Sequence, residues 1–244
     1  MDNIRILTEG DSSLLIQFGD EISPEINARI SAVVKLLKNC QIEGVVDLIP
    51  SYTALLINYN PLVIHYKQLK KRVEEILKMD VKGDASARKV VEIPVLYGGD
   101  AGPDLKNIAE HAGLTEQEVI DIHTSRDYLI YMLGFLPGFC YLGGLDERIH
   151  TPRLANPRLK IREGSVGIGG NATGIYPMDS PGGWQLMGLT PVKTFDPSQE
   201  VPILLNAGEY IRFIPIDEAE FNRIRAEVEA GTYKVVVHEG KEES

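Results

Sequence analysis

One stretch of the sequence, residues 131–194, constrains the fold more than any other. It is rich in glycine and proline, yet it also carries large apolar side chains: Phe135, Phe139, Tyr141, Tyr176 and Trp184. Glycine lets a backbone bend or approach a neighbour closely, and proline fixes the bends. An ordered, irregular segment of this length is uncommon unless it forms a binding surface. We therefore expect the rest of the chain to support it.

Composition narrows the class of protein. The chain has 244 residues, 43% of them hydrophobic and 25% charged, which is enough for one large core or two modest ones. Its formal net charge of −10 argues against nucleic-acid binding, because phosphate recognition depends on clustered Lys and Arg. The sequence has no signal-peptide layout and no apolar run near the ~20 residues that a membrane span needs. It predicts a cytoplasmic globular protein with no nucleic-acid or membrane partner.

Residues 1–85 predict a small α+β domain. Ser23 and Pro24 suit the cap and first position of a helix, and residues 66–79 predict a second helix. Short apolar and β-branched runs predict four strands, at residues 4–7, 13–18, 44–49 and 53–59. Two helices on one face of a mainly antiparallel sheet are the economical arrangement.

The small polar segment 82–87 predicts a linker, and residues 86–244 a second domain. Pro94 predicts an edge position or a strand end for the first strand, because proline cannot donate to the ladder. Many short strands between Gly/Pro turns favour a barrel or sandwich. We predict strands at 89–96, 127–133, 201–205, 210–215 and 232–238, and helices at 104–111, 115–123 and 217–230.

One nucleotide-binding pattern occurs, without its context. Residues 167–172 read GIGGNA and fit G-x-G-x-x-[GA]. A dinucleotide site needs a helix directly behind this pattern to present its amides to the pyrophosphate, and the following TGIYP is no helix start. The chain has no P-loop pattern either. We therefore expect neither kind of nucleotide site.

Patterns for metal ligation and nucleophilic catalysis are weak. Cys40 and Cys140 lack metal or redox spacing, and we interpret both as reduced thiols. For Cys140 a buried apolar role is favoured over a nucleophile, because no base or positive neighbour is evident. Ser165 lacks the G-x-S-x-G elbow and is interpreted as a turn hydroxyl. Five scattered histidines predict no metal site and mostly surface positions: His65, His111, His123, His150 and His238.

Four arginines crowd into one short span: Arg148, Arg153, Arg158 and Arg162. Two of them follow prolines, and rigidly held guanidinium groups can grip an acidic small molecule or a partner's acidic surface. The alternative is that the arginines pair with Asp146, Glu147 and Glu163 in a solvated loop. The aromatic residues pose a similar choice between packed core and pocket rim. The residues themselves leave both choices open.

A series of ordered motifs resembles the KipI/PxpB family, also called the allophanate hydrolase subunit 1 or carboxyltransferase C/D family. The resemblance covers nearly the whole chain. It departs from the family pattern at Leu189, where many members carry arginine. The matching motifs are GDS (10–12), GVVD (44–47), PSY (50–52), GFLPGFCYLGGL (134–145), TPR (151–153), PR (157–158), GSV (164–166), GIYP (174–177) and SPGGWQ (180–185).

The resemblance implies an α+β N-terminal domain followed by a mainly-β, cyclophilin-like barrel domain. It further implies the B subunit of an ATP-dependent 5-oxoprolinase, inactive alone, which hydrolyses 5-oxo-L-proline to L-glutamate with the A (PxpA-like) and C (PxpC-like) subunits. ATP would serve the complex without a motif in this chain. One studied branch instead inhibits a sporulation histidine kinase by docking on its dimerisation region. Related domains occur in urea carboxylase.

On the enzymatic hypothesis, Arg153 and Arg158 are anion anchors, and the aromatic residues shape a cavity that the C subunit completes. On the inhibitor hypothesis, the same surface binds the kinase. No catalytic residue is assigned. The candidate substrate- or partner-binding residues are Phe135, Pro137, Phe139, Tyr141, Arg153, Arg158, Ser165, Tyr176, Trp184 and Gln185.

Overall fold

The computed structural model describes residues 4–79 and 88–240. The chain divides into two compact units, Met1–Ser86 and Ala87–Ser244. The predicted linker, residues 82–87, lies outside the described residues, which resume with the strand that begins at Arg88.

The first unit is an antiparallel sheet with two helices on one face. Helix α1 (Pro24–Cys40) begins after Ser23, whose side chain accepts a hydrogen bond from the Ile26 N–H, and α2 spans Tyr66–Leu77. The sheet order is β1-β2-β4-β3. Its strands are β1 (Arg5–Glu9), β2 (Ser13–Gln17), β3 (Val45–Pro50) and β4 (Ala54–Tyr59). The predicted α+β arrangement is confirmed.

The second unit is a nearly closed mixed β-barrel, as the resemblance implied. The sheet order is β10-β9-β12-β5-β13-β6-β7, with β14 also paired to β5, and the end strands β7 and β10 lie against each other. A separate two-stranded sheet pairs β8 with β11. The strands are β5 (Arg88–Tyr97), β6 (Asp127–Leu133), β7 (Cys140–Gly143), β8 (Arg158–Ile161), β9 (Ser165–Gly169), β10 (Ala172–Ile175), β11 (Ser180–Gly182), β12 (Gln185–Leu189), β13 (Tyr210–Ile216) and β14 (Val237–Gly240).

Within residues 88–240, three α-helices accompany the barrel: α3 (Leu105–Ala112), α4 (Glu116–Thr124) and α5 (Glu218–Glu229). Helix α4 begins with a capping box. Thr115 Oγ1 accepts from the Glu118 N–H at 3.2 Å, and the Glu118 carboxylate accepts from the Thr115 N–H at 2.8 Å. Asp217 caps α5 by accepting from the Glu220 N–H, and Gly231 follows its end with φ 70°.

The edge position predicted from Pro94 is wrong, because β5 lies inside the sheet. On one side it pairs with β13 along residues 90–96. On the other side β14 pairs with residues 88–91 and β12 with residues 96–97. The Glu92 N–H donates to Val236 O on this second side, and Pro94 faces the same way because strand residues alternate. Pro94 therefore falls between the two partner strands, where its missing N–H costs no ladder bond.

Two further strand predictions differ from the structure. The segment predicted at 201–205 makes one isolated bridge, between Ile203 and Phe195, and Val201 is 74% exposed. Only one side chain of this apolar run, Leu205, is fully buried. The sequence pattern was therefore typical of a strand, but the segment does not pack as part of a sheet. The last predicted strand is shorter than expected, since β14 begins at Val237.

Candidate functional site

Five aromatic residues of the 131–194 stretch form one cluster with Phe139 at its centre. The Phe139 ring makes edge-on contacts with all four others, at centroid distances of 5.3–5.8 Å. Phe139, Tyr176 and Trp184 are buried, whereas Phe135 is 67% exposed. The choice between core and rim therefore resolves residue by residue: most of the cluster is packed, and Phe135 presents its ring to solvent.

The glycines of GIGGNATG make room for Trp184. Val166 and Ile168 of β9 belong to the barrel core, so the alternating Gly167 and Gly169 face outwards. A Cβ on Gly169 would lie 2.3 Å from the Trp184 Nε1 atom. The next strand contributes Gly174, whose Cβ would lie 3.2 Å from the same indole. The glycine-rich segment that matches the dinucleotide-binding pattern therefore packs against the Trp184 indole.

The loop between β6 and β7 holds Phe135 in an unusual backbone conformation. Its φ is 64°, and Leu136 N–H donates to Gly134 O at 2.7 Å, which closes a three-residue turn of the rare, strained kind. Pro137 is exposed on the same loop, and Gly138 lies against the Thr194 backbone. An open groove of about 340 Å³ runs along this loop, lined by residues 133–138 and Ile203.

The arginines differ in what they contact. The Arg153 guanidinium lies 5.9 Å from the centre of the Trp184 ring and its residue is exposed. Arg158 donates to Asp104 Oδ1 at 2.7 Å and to Trp184 O at 3.4 Å. Arg148 pairs with Asp146, as the solvated-loop alternative expected. Arg153 is therefore exposed beside the aromatic cluster, where its guanidinium can meet an external anion.

Asp104 is the residue at this site that the sequence patterns did not single out. It is buried, and its carboxylate accepts from Arg158 and from the Leu186 N–H at 2.7 Å. It precedes α3 without capping it. The sequence signal was an aspartate at a helix start, which normally indicates a cap. Here the carboxylate instead ties α3 to β12 and holds Arg158.

The Tyr176 hydroxyl stays protonated near neutral pH. Burial raises its pKa, against the opposing influence of Arg153 and Arg158. At 2% exposure, the Tyr176 side chain belongs to the packed part of the cluster. Tyr176 is thus a buried, neutral phenol within the cluster.

Three further residues of the 131–194 stretch lie elsewhere. Gln185 is directly paired with Ile168 of the barrel core, and paired residues share a face, so its side chain lies on the opposite face from Trp184. Its Nε2 donates to Pro152 O, and its Oε1 has no partner within the described part of the chain. Ser165 is buried and pairs with Leu189, which packs against Ala101 and Phe221. The Leu189 side chain therefore contributes to apolar packing.

Cys140 is buried in the barrel core, which raises the pKa of its thiol to about 12. Because the thiolate is the nucleophilic form, this thiol is unreactive near neutral pH. The apolar interpretation of Cys140 fits the structure better than the nucleophilic one.

His123 corrects the expectation that the histidines lie mostly at the surface. It is fully buried, with Nδ1 2.8 Å from the Tyr97 hydroxyl and Nε2 2.8 Å from Thr173 Oγ1. Thr173 donates its only proton to Gly167 O, so it accepts from a protonated Nε2, and Nδ1 accepts from Tyr97. Burial lowers the His123 pKa to about 3. The imidazole is thus a neutral, structural member of the barrel core.

Within residues 4–79 and 88–240, no three His, Cys, Asp or Glu side chains come together as a metal site. Over the same residues, none of the helices has the length and apolar character required to cross a membrane.

The Arg158–Asp104 pair gives a first testable prediction. Arg158→Ala leaves a buried carboxylate without its cation, and because Arg158 itself is partly exposed we expect a loss of about 1.5 kcal/mol in unfolding free energy, measured by urea denaturation. Adding Asp104→Asn removes the unpaired charge while its amide oxygen can still accept from Leu186, so stability is partly restored. Lys160→Ala, which breaks an exposed pair with Asp179, is the control and changes little. Equal losses for Arg158→Ala and Lys160→Ala would contradict the structural role.

The fold and the signature motifs together define a carboxyltransferase-type domain. The family described as "Carboxyltransferase domain, subdomain C and D" matches residues 4–205, and the chain belongs to this family. Among curated proteins, the 5-oxoprolinase B subunit of Bacillus subtilis (strain 168) is 40% identical over 228 residues, covering 89% of this chain and 95% of that protein. The corresponding B subunit of Haemophilus influenzae is 45% identical, covering 67% and 73%. The chain is a homologue of the 5-oxoprolinase B subunit, as the motifs predicted.

Solved structures agree with the fold. A conserved uncharacterized protein of Pyrococcus horikoshii, PH0987, is 47% identical, with a TM-score of 0.53 and coverage of 89% of this chain and 100% of that one. TTHA0988 is 34% identical with a TM-score of 0.75, but this chain covers only 40% of it. The urea amidolyase of K. lactis, at 22% identity and a TM-score of 0.78, shares the fold over 97% of this chain and 16% of its own length.

Proposed function

We propose that the chain is the B subunit of an ATP-dependent 5-oxoprolinase and acts with the A and C subunits to hydrolyse 5-oxo-L-proline to L-glutamate. The observation that carries this proposal is end-to-end similarity: the match to the Bacillus subtilis protein spans 89% of this chain and 95% of that protein. If the two proteins shared only one domain, the match would cover a small part of the relative. The match to the urea amidolyase of Saccharomyces cerevisiae, for example, covers 14% of that protein.

The geometry of the site supports a shared rather than a complete active site. Small-molecule sites usually enclose most of their ligand. Two depressions in the described part of the chain, at residues 37–48 and along the Phe135 loop, are open to solvent, and neither is lined by Arg153 or Trp184. On this proposal a partner protein closes the site over the small substrate.

On this proposal Arg153 binds the carboxylate of 5-oxoproline. Its guanidinium lies over Trp184, which is part of the buried aromatic cluster, and a guanidinium can grip a carboxylate with two hydrogen bonds. Arg158 binds Asp104 and the Trp184 carbonyl, and it thereby helps to hold Trp184 in place. ATP supplies the activation that an unstrained lactam requires, and the chain's sequence offers no nucleotide motif for it. No residue of this chain is assigned to the chemical step.

Reconstitution tests the proposed function. The purified chain is combined with its cognate A and C subunits, 5-oxoproline and ATP, and glutamate is measured. We expect ATP-dependent glutamate from the complete mixture and none when this chain or ATP is omitted. Glutamate formation that is unchanged without this chain, or absent from the complete mixture, would overturn the assignment.

Within the reconstituted enzyme, Arg153→Ala should lower kcat/KM for 5-oxoproline about tenfold, mainly through KM, because a charge-assisted contact is worth ~1.5–3 kcal/mol. Arg162→Ala is the matched control, an exposed arginine of the same segment. It should retain wild-type kinetics. If both variants behave alike, Arg153 is not the carboxylate anchor, although the assignment of the chain to the enzyme would stand.

A further inference from the structure

The sheet of the first unit carries a partly exposed apolar row on the face away from its helices. Register pairs Leu7 with Leu15, Leu15 with Leu56, and Leu56 with Ile49, so one apolar side chain from each strand lines up across the sheet. Leu7 is 42% exposed and Ile49 40%, and the two central leucines are half-buried. We call these four residues the apolar stripe.

The stripe is not part of the core beneath the helices. Strand residues alternate between faces, and the neighbours Leu14, Ile16, Leu55 and Ile57 are the ones fully buried against α1 and α2. The stripe residues do not belong to that cluster or to the partly buried side chains packed on it. A continuous apolar row on an otherwise polar sheet face is typical of an interaction surface.

Two polar rows border the stripe, and they differ in charge. The first carries two carboxylates: Glu9, Ser13, Asn58 and Asp47 are paired in that order. The second carries a guanidinium: Arg5 pairs with Gln17, and Gln17 with Ala54. Arg5 is exposed and also contacts Asp20 at 3.0 Å. The face is therefore acidic on one side of the stripe and carries its cation on the other.

We propose that this face is an interface between two copies of the chain. If the two-fold axis runs along the stripe, perpendicular to the strands, the apolar stripes of the two copies pack against each other. The row that contains Arg5 in each copy then faces the row that contains Glu9 in the other. A two-fold axis parallel to the strands would instead bring the acidic rows together. The favoured axis also aligns the two sheets, as in β-sandwiches. The inference is independent of the proposed enzymatic function.

The expected dimer is weak. Four strands ~4.8 Å apart and five residues long give a face of about 300 Å² in projection, smaller than the ~800 Å² per partner of a standard interface. We therefore expect association in the micromolar range, visible by sedimentation velocity of the full chain between about 1 and 200 µM.

Leu15→Glu and Leu7→Glu should each weaken dimerisation at least tenfold with an unchanged circular dichroism spectrum. Leu62→Glu, at a 93% exposed position outside the sheet, is the control and should dimerise normally.

A charge exchange tests the orientation. Arg5→Glu should weaken the dimer, and adding Glu9→Arg should restore it, because each residue faces the other across the proposed axis. A wild-type chain that stays monomeric at every concentration overturns the proposal. So does a Leu15→Glu variant that dimerises as well as the wild type, or a double exchange that fails to restore association. A monomeric wild type that loses binding to the C subunit on Leu15→Glu would also overturn it and assign the stripe to that partner.

Discussion

Gly169→Ala should lower the unfolding free energy by about 3 kcal/mol, the upper end of the usual cost of overpacking. The added Cβ would lie 2.3 Å from Trp184 Nε1 and 2.5 Å from two further indole atoms. The ring cannot swing aside cheaply, because it is wedged between Phe139 and Tyr176 by edge-on contacts. Displacing it would also move the surface over which Arg153 lies, so activity in the reconstituted complex should fall with stability.

Two further variants separate this steric effect from a general intolerance of alanine. Gly134→Ala in the same cluster places its Cβ 3.8 Å from Tyr141, an ordinary contact, and should change stability by less than about 0.5 kcal/mol. Trp184→Leu removes the indole, so Gly169→Ala should cost much less in that background than in the wild type. Urea denaturation measures the wild type and all of these variants. Additive losses in the double variant would show that residue 169 and Trp184 do not collide.

Local patterns were sufficient to predict most of the elements. Helix α4 was anticipated at residues 115–123 and β6 at residues 127–133, because local determinants such as the Thr115–Glu118 capping box lie within a few residues. Pro94 was misjudged because its environment depends on two strands, β12 and β14, that arrive from far along the chain. The sequence shows that Pro94 lacks a backbone N–H. Only the assembled sheet shows whether a neighbouring strand would accept a hydrogen bond from that position.

The aromatic cluster was predictable as a region but not as a set of contacts. The density of glycine, proline and aromatic residues located the cluster around Phe139 correctly. It did not show that Gly169 yields space to an indole, since sequence rules associate glycine mainly with turns. The partner of Arg158 was also hidden, because Asp104 is distant in sequence and resembles a helix cap. Long-range contacts of this kind leave no local pattern.

His123 illustrates the same limit and has a consequence for pH dependence. Its sequence neighbours place it on α4, and only the closed barrel buries it against Thr173 and Phe213. Burial lowers its pKa from an ordinary 6.5 to about 3, so the unfolded chain binds a proton more readily than the folded one between these values. The contribution of His123 to stability is therefore fully present well above pH 6.5. It is lost progressively as the pH falls towards 3.

At pH 5 this linkage should cost about 2 kcal/mol of unfolding free energy relative to pH 7.5, because each pH unit below 6.5 contributes up to ~1.4 kcal/mol. His123→Gln does not titrate but can still donate to Thr173 and accept from Tyr97, so its stability should be nearly constant over this range. His111→Gln, at an exposed position of α3, leaves the buried network intact and should follow the wild type. Urea denaturation at several pH values measures these slopes. If His123→Gln loses as much stability as the wild type between pH 7.5 and 5, acid sensitivity originates elsewhere, since only the buried imidazole distinguishes the two proteins.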